Sequence, residues 1–174
     1  MLQLRHKVLG RGDLLALARR LRELSRDAGA LFVVNDYLDL ALLCEADGVH
    51  LGPDDLSVTT ARQVAGDRLL IGASASTPHA ALHAVSSGAD YIGCGPAFAT
   101  PLKPQKVVIG PSGVAEVASA LGPVTPIFAI GGIDASNIAQ LTAVGVRRAC
   151  VVRAVGEASD PEAATRRLRA MLEA

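Results

Sequence analysis

Short apolar runs alternate with longer amphipathic stretches along the whole chain. The runs "MLQLR", "ALFVVND", "GVHLG", "LLIGASA", "YIGCGPA", "PIFAIGG" and "RACVVRA" have the length and near-continuous hydrophobicity of strands buried on both faces. The alanine- and leucine-rich segments between them carry helical spacing and are long enough for crossover connections. A repeated βα rhythm of this kind predicts a parallel sheet covered by helices. Asp13 before "LLALARRLREL" and Thr77-Pro78 before "HAALHAVSSG" are helix starts, and Gly29, Gly88 and Gly145 stand where helices stop. No low-complexity segment or linker divides the chain, so residues 1–174 are expected to form one domain. The connection from Thr100 to Ser112, rich in proline and lysine, reads as a functional loop, and its "TPLKPQK" as a lid carrying Lys103.

Polar residues at the strand ends choose between two architectures. Arg5 and Lys7, Asn35 and Asp36, His50 to Asp55, Ser74, Thr100 and Lys103, Gly131-Gly132 and Arg153 follow almost every run. In an open doubly wound sheet only the strands at the switch point carry chemistry, whereas a barrel gathers the ends of many strands. The expected fold is therefore an α/β barrel of the TIM type.

Three groups of these residues have a chemistry of their own. Asp36 and Asp55, on adjacent strand ends, could share one hard divalent cation; magnesium suits a site with few protein carboxylates. The alternative is that strand-end aspartates such as Asp36 and Asp54 only cap helices, and Asp54 is expected to be solvated. Gln3, Arg5 and Lys7 alternate along the first run and would share one face. Two like charges there call for an anion, unless the run is an edge strand with solvated charges. Gly131 and Gly132, with a helix opening at Asp134, let backbone amides approach a phosphate, or else make a plain turn. His6 should point outward.

Composition narrows the classes further. The chain has 174 residues, half of them hydrophobic, enough for one good core. Seventeen basic residues balance seventeen acidic ones, so no global field attracts nucleic acid or a membrane, and an anionic ligand must be held locally. Three cysteines without metal-site spacing read as small buried residues in a reducing compartment. With no signal-peptide pattern and no apolar run of spanning length, the expected location is the cytoplasm.

In order and spacing, "QLRHK", "NDYLDLALLCEADGVHLGPDDL", "IGASAST", "GADYIGCGPAFATPLK", "IFAIGGI" and "CVVRAV" resemble the thiamine phosphate synthase family and its close relative, the thiazole tautomerase group. The resemblance implies a (β/α)8 barrel, of which about seven strands are visible, the chain opening in what resembles the second strand. It implies a magnesium-dependent transferase that couples hydroxymethylpyrimidine diphosphate with thiazole phosphate, giving thiamine phosphate and pyrophosphate. On that likeness Asp36 and Asp55 bind Mg2+, and Gln3, Arg5, Lys7, Asn35 and Lys103 hold the diphosphate. Ser74 orients the pyrimidine, Thr100 contacts substrate, and Gly132, Val152 and Arg153 belong to the thiazole phosphate grip. Catalysis would rest on Arg5, Ser74 and Lys103, acting electrostatically and without a general base. The sequence departs from the pattern at Leu102, where a hydroxyl is usual, at Arg153 in place of a serine, and at Pro53 in place of a glutamine. A tautomerase-like isomerase and a non-catalytic thiazole or thiamine phosphate binder are the alternatives. The tautomerase histidine aligns with Ser76, and His79 and His83 on the next helix read as surface residues. A homodimer is expected, because the "MLQLR" and "ACVVRAV" strands would otherwise leave bare edges.

Overall fold

The computed structural model describes residues 1–101 and 105–174. Leu102 and Lys103, singled out above, lie outside the described residues. The chain clusters into two compact units, one made of Met1–Ser74 with Ala84–Tyr91 and the other of Ala75–His83 with Ile92–Ala174.

The first unit is a run of parallel βα repeats. Strands β1 (Leu2–Leu4), β2 (Phe32–Asn35), β3 (Gly48–Leu51) and β4 (Leu70–Ala75) pair in chain order, linked by helices α1 (Arg11–Asp27), α2 (Leu38–Leu43) and α3 (Val58–Ala65). Leu4, Val34, Val49 and Ile71 lie in one row of the ladder and pack in the same core as Leu14, Ala18, Ala41, Ala61 and Ala65 of the helices. Side chains alternate across a strand, so Gln3, Asn35, His50, Gly72 and Ser74 project from the opposite face.

Two aspartates just ahead of strands tie the strand starts together in the same way. Asp47 Oδ2 accepts from the Phe32 N–H at 2.7 Å and from Arg22 of α1 at 2.8 Å. Asp90 Oδ2 accepts from the Ile71 N–H at 2.7 Å and from Arg62 of α3 at 2.5 Å. Each carboxylate satisfies a backbone donor at the edge of the core, and each arginine supplies the counter-charge.

The second unit contains most of β5 (Tyr91–Cys94), then β6 (Ile127–Ile130) and β7 (Ala149–Cys150), again parallel and in chain order. Its helices include α5 (Gly110–Leu121), α6 (Ala139–Thr142), α7 (Arg153–Gly156) and α8 (Pro161–Glu173). Pro161 at the first turn and the Asp160 carboxylate, which accepts from the Ala163 N–H at 2.9 Å, start α8. Helix α4 (Pro78–Ser86) has residues in both units, and Thr77 marks its start by accepting from the Ala80 N–H at 3.2 Å.

Several boundaries differ from expectation. The first helix begins at Arg11 behind an extended Gly10, and Asp13 sits in its first turn without capping it. β1 stops at Leu4, because the His6 ring nitrogen Nδ1 accepts from the Val8 and Leu9 N–H groups and bends the chain there. Arg5 and Lys7 are exposed residues beyond the strand, and Lys7 reaches Asp36 from there. Asp134 opens a side-chain-braced turn with Ser136 and Asn137, and regular helix appears only at α6. "RACVVRA" contributes a two-residue strand, so Val152 and Arg153 lie past it, at the start of α7. Among the described residues no helix is long and apolar enough to cross a membrane.

Candidate active site

The strand ends of the first unit bring Asp36 and Asp55 together. Asp36 follows β2 with φ 67°, a left-handed conformation uncommon outside glycine and least costly for Asp and Asn. Its N–H donates to the His50 carbonyl at 2.8 Å, which pins the turn to the neighbouring strand. Asp55 closes the Gly52–Asp55 turn after β3, its Oδ2 accepting from the Gly52 N–H at 2.8 Å. Neither aspartate serves as a helix cap: α3 is capped by Ser57, and α2 has no side-chain cap. Asp54 is exposed.

The two carboxyl groups lie within hydrogen-bonding reach of each other. Burial, the Asp36 hydrogen bond and the Asp36 charge push Asp55 above the ordinary carboxylate range. For Asp36 burial works in the same upward direction. Hydrogen bonds with Lys7 and Asp55 and the charges of Lys7 and Arg5 outweigh it, and hold Asp36 below that range. Lys7 Nζ pairs directly with Asp36 Oδ2, the aspartate side chain being 8% exposed and the lysine 49%. The Asp36 carboxyl thus favours its charged form more than an ordinary aspartate does, and the Asp55 carboxyl favours it less.

This donor set fits a hard divalent cation. Among the described residues no group of three His, Cys, Asp or Glu side chains could hold a metal. A site of two carboxylates leaves positions for water and phosphate oxygens, as magnesium prefers.

The row behind the carboxylates carries Asn35, His50 and Gly72 in register, with Asn35 and His50 buried. Ser74, two residues beyond Gly72 on the same face, lies with Oγ 3.0 Å from His50 Nε2, and the other ring nitrogen lies 3.2 Å from the Tyr91 hydroxyl. Sequence reasoning placed Ser74 but gave His50 and Tyr91 no role. The available signal was Gly72 inside an otherwise filled strand, since an interior strand glycine marks a close approach.

In the second unit the strand-end glycines have a packing reason. A Cβ on Gly131 (φ 101°) would lie 2.6 Å from Pro96 Cβ, and one on Gly132 (φ 62°) 2.4 Å from the Ala99 carbonyl oxygen. Ala97 and Phe98 donate to the Ile130 and Gly131 carbonyls at 2.8 and 3.0 Å, so the loop after β5 lies directly on the loop after β6. Thr100, at the far end of that loop, is half-buried. Val152 and Arg153 are exposed. The Asp134 carboxyl is held below its ordinary range chiefly by Ser136, with a smaller contribution from the Arg153 charge. Ser76, His79 and His83 are all exposed. A cavity of about 610 Å³ lined by Ser119, Thr125, Arg147 and Arg148 opens at the starts of β6 and β7, the end of the strands opposite these residues.

Residues 1–155 match the family model for thiamine monophosphate synthase. The chain belongs to the thiamine monophosphate synthase family. It is 48% identical to the thiamine-phosphate synthase of Thermobifida fusca, over 100% of this chain and 80% of that protein. With the thiamine-phosphate synthase of Gloeobacter violaceus the identity is 47%, over 92% of this chain and 47% of that protein. The chain therefore spans about half the length of some curated relatives and four fifths of others. Among solved structures, the thiamine phosphate pyrophosphorylase from Pyrococcus furiosus matches with a TM-score of 0.89 and 37% identity, covering 98% of this chain and 81% of that one. The fold class of this family member is accordingly α/β of the TIM type, with seven strands among the described residues.

Proposed function

We propose that the chain is a thiamine-phosphate synthase, coupling hydroxymethylpyrimidine diphosphate with thiazole phosphate to give thiamine phosphate and pyrophosphate. The observation that carries this reading is the Asp36–Asp55 pair beside Lys7, in a chain of the family shown above. Magnesium held by Asp36 and Asp55 would supply positive charge to the diphosphate oxygens. Lys7 and Arg5, exposed past β1, add charge to the same leaving group, and Lys103 adds a third. Gln3 and Asn35 offer amide donors from the sheet face, and Ser74 orients the pyrimidine. The bond from the pyrimidine methylene carbon to the diphosphate oxygen breaks with its electron pair going to oxygen. The thiazole nitrogen supplies the pair for the new carbon–nitrogen bond, so no general base is required. Thr100, Gly132, Val152 and Arg153 belong to the side that takes the thiazole phosphate.

The same reading treats residues 1–174 as one domain, supported by a family model that runs unbroken over residues 1–155 and by the interleaved segments of the two units. It places the protein in the cytoplasm as a homodimer, a state favoured by the exposed Leu2, Val8 and Leu9 on and beyond β1.

A coupling assay with both substrates, with and without Mg2+, tests the proposal. Thiamine phosphate should form and should vanish with EDTA. Binding of either phosphorylated substrate without turnover would instead identify a binding-only relative. Turnover of a thiazole phosphate isomer without pyrimidine or metal would identify a tautomerase, which must work without a histidine at Ser76.

A further inference from the structure

Tyr91 and His50, both buried, and the half-buried Ser74 form a relay that ends at the residue assigned to the pyrimidine. His50 is 8% exposed and Tyr91 6%. The Tyr91 hydroxyl lies 3.2 Å from His50 Nδ1, His50 Nε2 lies 3.0 Å from Ser74 Oγ, and the two rings are tilted at 32° with centroids 5.6 Å apart. The arrangement is built into the sheet. His50 and Gly72 are cross-strand partners, and a Cβ on Gly72 would stand 2.0 Å from Tyr91 Cζ. An absent side chain on β4 is what admits the Tyr91 ring beside the histidine.

A neutral imidazole has one donor nitrogen and one acceptor nitrogen, and its partners decide which is which. We infer that Tyr91 donates its hydroxyl hydrogen to His50 Nδ1, which fixes the Nε2–H tautomer, and that Nε2–H donates to Ser74 Oγ. With that lone pair occupied, Ser74 turns its own hydrogen away from His50 and presents a donor to an acceptor atom of the substrate, such as a ring nitrogen of an aminopyrimidine. His50 and Tyr91 are positioning residues: they set the direction of one hydrogen bond and so the heterocycle the site accepts. The alternative tautomer would reverse every bond and leave Ser74 as an acceptor. The inference rests on the reading of Ser74 given under the proposed function.

Tyr91→Phe tests it with little risk to the fold, because the ring still fills the space above Gly72. In the intact chain, 15N NMR of the His50 ring should show a protonated Nε2 and a bare Nδ1, and Tyr91→Phe should give a mixture of tautomers. In the coupling assay Tyr91→Phe should lower kcat on the order of tenfold to a hundredfold, with the KM for thiazole phosphate unchanged. Ser74→Ala should show a loss of at least that size, and Ser74→Ala/Tyr91→Phe should be no worse than Ser74→Ala alone, because residues acting through one group are not additive. A protonated Nδ1 in the unaltered chain overturns the relay whether or not the protein turns over substrate. Multiplicative losses in the double variant, or full activity of Tyr91→Phe beside an impaired Ser74→Ala, overturn it as well. An undamaged Ser74→Ala would instead overturn the role given to Ser74 itself.

Discussion

Gly72 and Tyr91 compete for one volume: the β carbon that any other residue would bring to position 72 falls 2.0 Å from the tyrosine Cζ and 2.4 Å from its hydroxyl oxygen. Both groups are buried, so neither can yield without moving a strand. Gly72→Ala is expected to destabilise the chain by about 1–3 kcal/mol, the usual penalty of an overfilled core. It should also break the His50–Tyr91 contact. Thermal melting and the His50 NMR signal measured on the same variant would check both; an unchanged melting temperature would show that the ring has room to retreat.

The Arg22–Asp47 and Arg62–Asp90 pairs sit at the starts of strands, away from the ends where the family's chemistry lies. Asp47→Ala strands the Phe32 N–H and the Arg22 guanidinium and should cost about 1–3 kcal/mol of stability. Turnover per folded molecule should be unchanged. A selective loss of turnover in a variant that melts normally would place Asp47 in the wrong class.

The carboxylate pair predicts opposite responses to pH. The Asp55 carboxyl is raised above its ordinary value of 3.8, so its contribution to stability is full below that value and is lost as pH rises through the raised pKa. The Asp36 carboxyl is lowered, so its contribution is present above 3.8 and is lost as pH falls through the depressed pKa. Without divalent cation, Asp55→Asn should therefore melt higher than the unaltered chain at neutral pH, by roughly 2–4 °C, and the gap should close in acid. Added Mg2+ should raise the melting temperature of the unaltered chain only. Asp36→Asn, which tolerates the left-handed backbone, should keep the fold while losing the Lys7 ion pair and magnesium-dependent turnover. A magnesium response that survives both substitutions would remove Asp36 and Asp55 from the metal site.

The homodimer proposal predicts a light-scattering mass of two chains. A mass of one chain would refute it.

The strands, their parallel order and the βα repeat were legible because buried strands write continuous apolar runs, and helices write their own period and stop signals. The pairing of Asp36 with Asp55 was legible for a related reason: residues at the ends of adjacent parallel strands are held near one another by the ladder. Strand lengths were not. Whether "MLQLR" continues past Leu4 depends on a ring nitrogen of His6 capping the next turn, and "RACVVRA" stops after two residues because α7 follows at once. Alternation along a run says which face a side chain takes only while the strand lasts, and Arg5 and Lys7 lie beyond it. Gly131 and Gly132 have a packing reason that the sequence did not show, since the backbone of the loop after β5 lies where a Cβ on either would stand. Only tertiary structure could decide the relay. Tyr91, His50 and Ser74 lie on three strands with no shared spacing in the chain, and what joins them is the side chain Gly72 does not have.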